Sequence, residues 1–373
     1  MRAPAIAFLT SMVILFATPP ATADIQYTTG FHLDWWSSDA GESGTQYHIP
    51  LEVGAELGNI GLKVLTAYTH NDVESSDGDS RTFSGMVDTR VNVDYMVADR
   101  WPVDILFSLD LNLPTGQTDL SSVDAVSISN PDKVTITRMG EGFNINPGIS
   151  LVKQWDSLLA AVGLGYIIRG QYDAADTLED YDPGDARNLT AELEYHFNKR
   201  LAAHIAGAYT QFDKDRLDGV DYFQPGDVTI FGSGITYATD RWDLAGSFKS
   251  VVREKNEWPN GSGGLISEGH NSYGDERIAD FRGQMKITEK TEAALWLQYL
   301  SLSENGYPAT HSNFTSDRVK TTVGVEVNHH FNSVWALGFR LQRFAMAVDN
   351  NPADANDTDF DGGTAAFWVS ARF

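Results

Sequence analysis

Three aspartates near the carboxyl end of the chain have the spacing of a calcium-binding loop. In "DTDFDGG", Asp357, Asp359 and Asp361 precede Gly362, which matches the opening of a D-x-D-x-D-G loop. The twelfth position of such a loop supplies a bidentate carboxylate, but here that position is Trp368. Because only half of the motif is present, the segment favours a solvated acidic loop over a metal site.

Histidines and cysteines indicate no catalytic or cofactor site. The nine histidines are scattered, and the adjacent His329 and His330 would lie on opposite faces of a strand. The chain contains no cysteine, which excludes thiol catalysis, disulfides and haem attached through Cys-x-x-Cys-His. It also contains no HExxH motif, nucleophile elbow or glycine-rich phosphate loop. The sequence therefore predicts a protein that is not an enzyme and holds no cofactor or metal.

Charged residues recur instead at every second position of segments in which polar and apolar residues alternate. In the first half of the chain this polar face is mainly acidic, with Asp34, Glu52, Glu56, Asp88, Asp94, Asp104, Asp110, Glu192 and Glu194 against Lys63, Arg90, Lys153 and Arg169. In the second half it is mainly basic, with Lys249, Arg253, Arg282, Lys286, Lys320, Arg340 and Arg372 against Asp243, Asp280, Glu292 and Glu326. If these residues line a water-filled pore, an acidic wall faces a basic wall, and the field between them orients dipolar solutes. The alternative is that charges line any wet lumen and that the asymmetry is chance or a register error, since a one-residue slip reverses the two faces of a strand.

These charges need strands to position them, and the alternation occurs in sixteen segments. Between Asn188 and Phe197, for example, apolar odd positions alternate with polar even positions, as in a strand whose two faces have different surroundings. The segments start near Ile25, Gln46, Gly61, Thr82, Val103, Asn144, Leu158, Asn188, Leu201, Val228, Trp242, Arg277, Thr291, Lys320, Val334 and Thr364.

The connections between the segments are alternately short and long. Seven short turns alternate with eight long connections that start near Ser37, Asn71, Pro114, Tyr172, Asp213, Glu254, Ser303 and Ala347. This asymmetry is typical of barrels that span an outer membrane. Aromatic residues at interfacial depth are also expected, and those beside the short turns are Trp101, Trp155, Tyr195, Phe197, Tyr237, Trp242, Phe331 and Trp335.

A sheet in lipid must close on itself, because an open edge leaves backbone groups without hydrogen-bond partners. We therefore predict an all-β fold, a single up-and-down antiparallel transmembrane β-barrel of about 16 strands over residues 24–373. The net charge of −24 argues against a nucleic-acid partner, which requires clustered Lys and Arg.

Residues 1–23 have the three parts of a cleaved signal peptide. Arg2 precedes an apolar run, Ala5–Phe16, and Ala21-Thr22-Ala23 forms a small-x-small cleavage site. The run is shorter than the roughly 20 apolar residues of a membrane-spanning helix. We therefore expect export of the chain and removal of this segment.

The closing segment "AAFWVSARF" alternates up to Phe373. With the signal peptide, the strand count and the loop asymmetry, it resembles the bacterial outer-membrane β-barrels, porins above all. The resemblance implies an outer-membrane location, contact with lipid and lipopolysaccharide, and a role for Phe373 as the signal recognised by the barrel-assembly machinery. Two short stretches, "LNLPTGQ" (Leu111–Gln117) and "EGFNINPG" (Glu141–Gly148), resemble outer-membrane transporters linked to the degradation of aromatic compounds.

Two function classes remain open at this stage. The first is a porin-like channel for passive diffusion of small polar or aromatic solutes, as a monomer or a homo-oligomer. The second is a barrel that acts as a sheath or scaffold for a periplasmic or extracellular partner, such as an electron-transfer conduit. The longest connection, Pro114–Phe143, either folds into the lumen or extends its strands through the alternating "KVTITR" (Lys133–Arg138).

Overall fold

The computed structural model describes residues 24–98, 100–261, 263–349 and 357–373, so the predicted signal peptide lies outside the described residues. The described residues form 22 strands and a six-residue helix, and no helix among them is long and apolar enough to cross a membrane. The elements are β1 (Asp24–Ser38), β2 (Ser43–Leu57), β3 (Ile60–Glu74), β4 (Ser80–Met86), β5 (Thr89–Val97), β6 (Asp104–Leu113), α1 (Ser122–Ser127), β7 (Asn144–Trp155), β8 (Leu158–Arg169), β9 (Tyr181–Asp182), β10 (Ala186–Asn198), β11 (Leu201–Phe212), β12 (Asp215–Leu217), β13 (Val220–Phe223), β14 (Val228–Ala238), β15 (Trp242–Arg253), β16 (Glu257–Pro259), β17 (Leu265–Ser267), β18 (Glu276–Thr288), β19 (Thr291–Leu302), β20 (Arg318–His330), β21 (Trp335–Val348) and β22 (Thr358–Arg372).

These strands build a closed antiparallel barrel of sixteen strands, as the sequence predicts. Consecutive barrel strands pair in order around the ring, and β22 pairs with β1 to close it. The segments β4 and β5 count as one barrel strand because both pair with β3, one with each half. The remaining short strands, β9, β12, β13, β16 and β17, pair within two small sheets formed by the long loops.

The cross-strand register defines the two faces of the wall. Asp34 pairs with Gln46, which in turn pairs with Asn71, so these three side chains share one face. Backbone of residues 135 and 136 hydrogen-bonds to this face, and it is the inward face. On the other face large apolar side chains are exposed, for example Leu51 at 47% and Val325 at 46%, which is the surface that lipid requires.

One barrel strand departs from the predicted alternation. The sequence places Phe83 and Gly85 on the same face as Val91, but Phe83 pairs with the inward Asn71 whereas Arg90 pairs with the inward Leu65. The chain leaves the ladder at residues 87 and 88, and this irregularity exchanges the faces on either side of it. The predicted single continuous strand from Thr82 is therefore wrong, and Phe83 faces the lumen.

The structure confirms that the seven short turns all lie at one end of the barrel, but it corrects two predictions about the long loops at the other end. Short turns at 58–59, 98–103, 156–157, 199–200, 239–241, 289–290 and 331–334 lie at one end of the barrel. At the other end, the first two predicted long loops are wrong, because strands continue up to connections of only 39–42 and 75–79. Likewise β22 begins at Thr358, so Asp359 and Asp361 belong to a strand rather than to a loop.

Candidate functional site: the barrel lumen

The connection 114–143, called loop 3 below, crosses the barrel interior. It leaves β6 and returns to β7, yet the Thr135 amide donates to Asp34 Oδ2 on β1 at 2.9 Å. The amide of Ile136 donates to Gln46 Oε1 at 2.7 Å, and Gln46 Nε2 donates back to the Ile136 carbonyl at 2.9 Å. Lys133–Arg138 does not form a strand. Of the two arrangements left open by the sequence, the structure shows the inward one.

A set of ion pairs, called the latch below, fastens loop 3 to the far wall. Asp132 of the loop lies 2.6 Å from an Arg318 nitrogen on β20; the Asp132 side chain is buried and that of Arg318 is mostly buried. Lys320 donates to the Asp132 carbonyl oxygen. Lys133 lies 3.6 Å from a Glu42 oxygen, and burial lowers the pKa of Lys133 while Glu42 opposes that shift. Since β20 is far round the ring from β6 and β7, the latch holds loop 3 across the lumen.

Loop 3 also covers an apolar part of the inner wall. Its buried residues pack against inward-facing side chains from β1, β21 and β22. The cluster consists of Trp36, Leu120, Ile128, Val134, Met139, Phe344, Met346 and Phe360. Burial of this apolar surface stabilises the inward position of the loop without any contribution from charge.

Asp88 anchors both ends of loop 3. Its Oδ1 accepts the Gly116 amide at 2.8 Å, and its Oδ2 accepts the Glu141 amide at 2.7 Å and Asn112 Nδ2 at 2.6 Å. The residue is 5% exposed, so the carboxylate of this candidate pore residue is covered by loop 3 and hydrogen-bonded to it. A Cβ on Gly116 would lie 2.0 Å from the Met139 carbonyl oxygen, so the crossing of the two loop ends requires glycine there.

The register places the other candidate pore residues on the inward face, with the exception of Lys153. Those on the inward face are Arg90, Asp94, Asp104, Asp110, Arg169, Glu192, Glu194, Lys249, Arg253, Arg282, Lys286, Lys320 and Arg340. Lys153 alternates with the inward Val152 and shares the outward face of Leu151 and Trp155. Its predicted lumenal position is wrong, because the register of β7 places it on the outer face. It lies near a short turn, where a lysine on the outer face can extend toward the lipid headgroups. That the inward charges line a conducting pore stays a prediction.

The inward cations differ in how far they are already paired. Arg253 is 12% exposed, 3.6 Å from Glu276, and its guanidinium lies over the Tyr273 ring. Arg282 and Arg340, in contrast, are 50% and 39% exposed and share a single carboxylate, that of Glu326. The second pair therefore presents guanidinium surface to the lumen.

Two inward tryptophans that the sequence analysis did not single out lie in the same layer. Trp296 is the cross-strand partner of Arg282 and of Gly324, and Trp368 is the partner of Gly338. The alternation in the sequence already indicates that these tryptophans face inward, because each lies at a position of its strand that alternates with the apolar, outward-facing residues. They were missed because apolar residues are not expected to face a wet lumen.

Outside the membrane, loops 170–185 and 213–227 form a cleft of about 560 Å³ lined by Asp182, Pro183, Gly184, Asp185, Asp213, Lys214, Arg216 and Gln224. At its base the Gly184 amide donates to Asp215 Oδ1 at 2.7 Å, and the Tyr181 hydroxyl donates to the same carboxylate. Burial raises the pKa of Asp215 and of Tyr181. Among the described residues, no group of three or more side chains has the arrangement of a metal site.

Phe373 pairs with Ile25 through two backbone hydrogen bonds of 2.9 and 3.0 Å. Its ring is exposed, with edge-on contacts to Tyr27 and Trp335 at centroid distances of 6.2 and 6.3 Å. Its role as an assembly signal stays a prediction.

A closed sixteen-strand barrel with an apolar outer face, short turns at one end and a loop folded inward is an outer-membrane β-barrel of the porin-like class. The chain belongs to the family described as "Putative MetA-pathway of phenol degradation", whose model matches residues 18–266. No curated protein matches the chain.

Solved structures of outer-membrane proteins are similar in fold. OccAB1 of Acinetobacter baumannii has 10% identity over 94% of this chain and 96% of its own, with a TM-score of 0.48. OmpT of Vibrio cholerae has 13% identity over 96% and 99%, with a TM-score of 0.45. An anion-selective porin from Comamonas acidovorans has 14% identity over 94% and 99%, with a TM-score of 0.42.

Proposed function

We propose that the protein is a channel through which small polar or aromatic solutes diffuse passively across the outer membrane. The observation that carries this proposal is loop 3, which narrows a closed barrel while leaving charged side chains exposed on the inner wall. Narrowing limits the size of a solute, and exposed charge selects its polarity. The description of the family, which refers to phenol degradation, supports aromatic compounds among the solutes.

The inward position of loop 3 disfavours the alternative of a sheath around a protein partner. A partner threaded through the barrel would have to displace the buried Asp132–Arg318 pair and the apolar cluster beneath the loop. Loss of one partner from such a buried pair costs about 3–5 kcal/mol. A small solute needs no such rearrangement.

Reconstitution into planar bilayers tests the proposal. Purified protein is expected to give discrete conductance steps in potassium chloride, and liposomes that contain it should swell in small sugars and in aromatic solutes. A folded barrel, shown by its heat-dependent mobility in detergent gels, that gives neither steps nor swelling would contradict the channel.

A further inference from the structure

Five inward residues form a continuous band below loop 3, called the tryptophan–arginine strip. They come one from each of five consecutive strands: Arg282 on β18, Trp296 on β19, Glu326 on β20, Arg340 on β21 and Trp368 on β22. Along β20, Glu326 is six residues from the latch residue Lys320, or about 20 Å at the usual rise of a strand. A solute that has passed loop 3 therefore reaches this strip next.

Both tryptophan rings lie flat against the wall because the neighbouring strand has glycine at the contact. A Cβ at Gly324 would lie 2.4 Å from Trp296 Nε1, and a Cβ at Gly338 would lie 2.0 Å from Trp368 Cε2. Each ring thus occupies the space of a missing side chain, and both residues are only half-buried. A ring held flat in this way turns its other face toward the lumen. The Arg340 guanidinium lies over the Trp368 ring, 5.7 Å from its centroid, so Trp296 is the ring on which a second planar ring can stack.

The strip carries a positive charge that its own carboxylate does not fully neutralise. Arg340 Nε and Nη2 donate to Glu326 Oε2 at 2.9 and 2.6 Å, whereas the Arg282–Glu326 contact is 3.5 Å. Two guanidinium groups therefore share one carboxylate, which leaves a net charge of about +1. The exposed N–H groups of Arg282 can donate to a second carboxylate in the bidentate geometry that arginine favours.

The opposite wall has the reverse sign. Asp94 and Asp110 face inward from the fourth and fifth barrel strands, eight strands away from Arg282 and Trp296 in a ring of sixteen. Asp110 lies six residues from the start of β6 and Arg282 lies six residues from the end of β18. Both of these strand ends adjoin short turns, so the two residues are at a similar height. An anion between the walls is repelled by the aspartates and attracted toward the strip.

We propose that the tryptophan–arginine strip is a binding site for small aromatic carboxylates in transit. The ring of the solute stacks on Trp296, and its carboxylate pairs with Arg282, the cross-strand partner of Trp296. The inference rests on the proposed channel function and narrows its solutes to planar aromatic acids.

Reversal potentials test the strip with two anions that share charge and approximate size, benzoate and cyclohexanecarboxylate. Benzoate is expected to be at least about threefold more permeant, the change that one aromatic contact provides. In Trp296→Leu/Trp368→Leu the ratio should fall to about 1, because stacking is lost, whereas Trp296→Phe/Trp368→Phe should restore it. Arg282→Gln should lower the permeability of both anions, and Arg90→Gln, which removes an inward cation on the opposite wall, is the matched control and should change the ratio little.

Saturation-transfer NMR of benzoate with the detergent-solubilised protein separates failure of the site from failure of the channel. Signal with wild type that disappears in the double leucine variant supports the strip even if bilayers stay silent. An open channel that shows no preference for benzoate and no saturation transfer overturns the inference and leaves the channel intact.

Discussion

The inner wall of the barrel has a covered half beneath loop 3 and an open half toward the short turns. Arg318 and Arg282 both point inward and both contact one carboxylate, yet Arg318 is 13% exposed and Arg282 is 50% exposed. The first is paired with Asp132 of loop 3, and the second contacts Glu326 on β20, two strands away along the same wall. The same residue type therefore fastens loop 3 in one half and presents exposed N–H groups to the lumen in the other.

The two halves differ equally in their aromatic residues. In the covered half Trp36, Phe344 and Phe360 are buried against loop 3 and hold it in place. In the open half Trp296 and Trp368 lie flat on glycines, and the Arg340 guanidinium lies over the Trp368 ring. The role of an inward aromatic or charged residue can therefore be inferred only when it is known whether a loop covers that residue.

Removal of loop 3 is expected to have the largest effect. Replacement of 120–134 with a short Gly-Ser linker removes the latch and three of the four loop residues of the apolar cluster, so the lumen becomes wider and single-channel conductance should rise several-fold. Conductance equal to that of wild type, in a barrel shown to be folded, would place the constriction elsewhere.

Loss of the latch alone should have an intermediate effect. Asp132→Ala leaves Arg318 buried without its carboxylate, a cost of about 3–5 kcal/mol that release of the loop segment can relieve. Single-channel traces should show brief openings of higher conductance. The exposed pair Arg187–Asp213 provides the control, because Arg187→Ala is expected to cost at most about 1 kcal/mol and to leave the traces unchanged. Steady, wild-type currents from Asp132→Ala would mean that the apolar cluster holds the loop by itself.

A smaller effect is expected from filling the space beneath one tryptophan. Gly324→Ala places a Cβ where Trp296 Nε1 lies, so the ring must tilt, and the benzoate preference should fall about twofold, a part of one aromatic contact. Gly54→Ala is the matched control. A Cβ at that inward glycine would lie 4.0 Å from its nearest neighbour, the Leu62 carbonyl oxygen, and would displace nothing. Equal effects of the two substitutions would argue against a role for ring orientation.

The barrel itself was predictable because its determinants are local and periodic. Alternation gives the strands and, for residues such as Glu192 and Lys249, the correct face, and the sorting of turns and loops by length gives the up-and-down order. Prediction failed at residues 87 and 88, where an irregularity puts Phe83 on the same inward face as Arg90. It also failed at Lys153, where the polar residue lies on the outer face.

The constriction and the strip were not predictable, because both depend on contacts between distant segments. Asp132 and Arg318 are 186 positions apart, and nothing in the local sequence of either residue indicates the other. The orientation of Trp368 depends on Gly338, thirty positions earlier on the adjacent strand. A pattern of period two fixes which face a residue occupies, but the path of loop 3 decides whether that face is covered.

Side-by-side recordings of Arg318→Gln and Arg282→Gln test the division into two halves most directly. Each variant removes one inward positive charge, and reversal potentials in a potassium chloride gradient together with single-channel conductance are measured for both. Arg282→Gln is predicted to shift the reversal potential toward cation selectivity with a steady conductance, whereas Arg318→Gln should produce larger, fluctuating currents with little change in selectivity. Indistinguishable behaviour of the two variants would contradict the account.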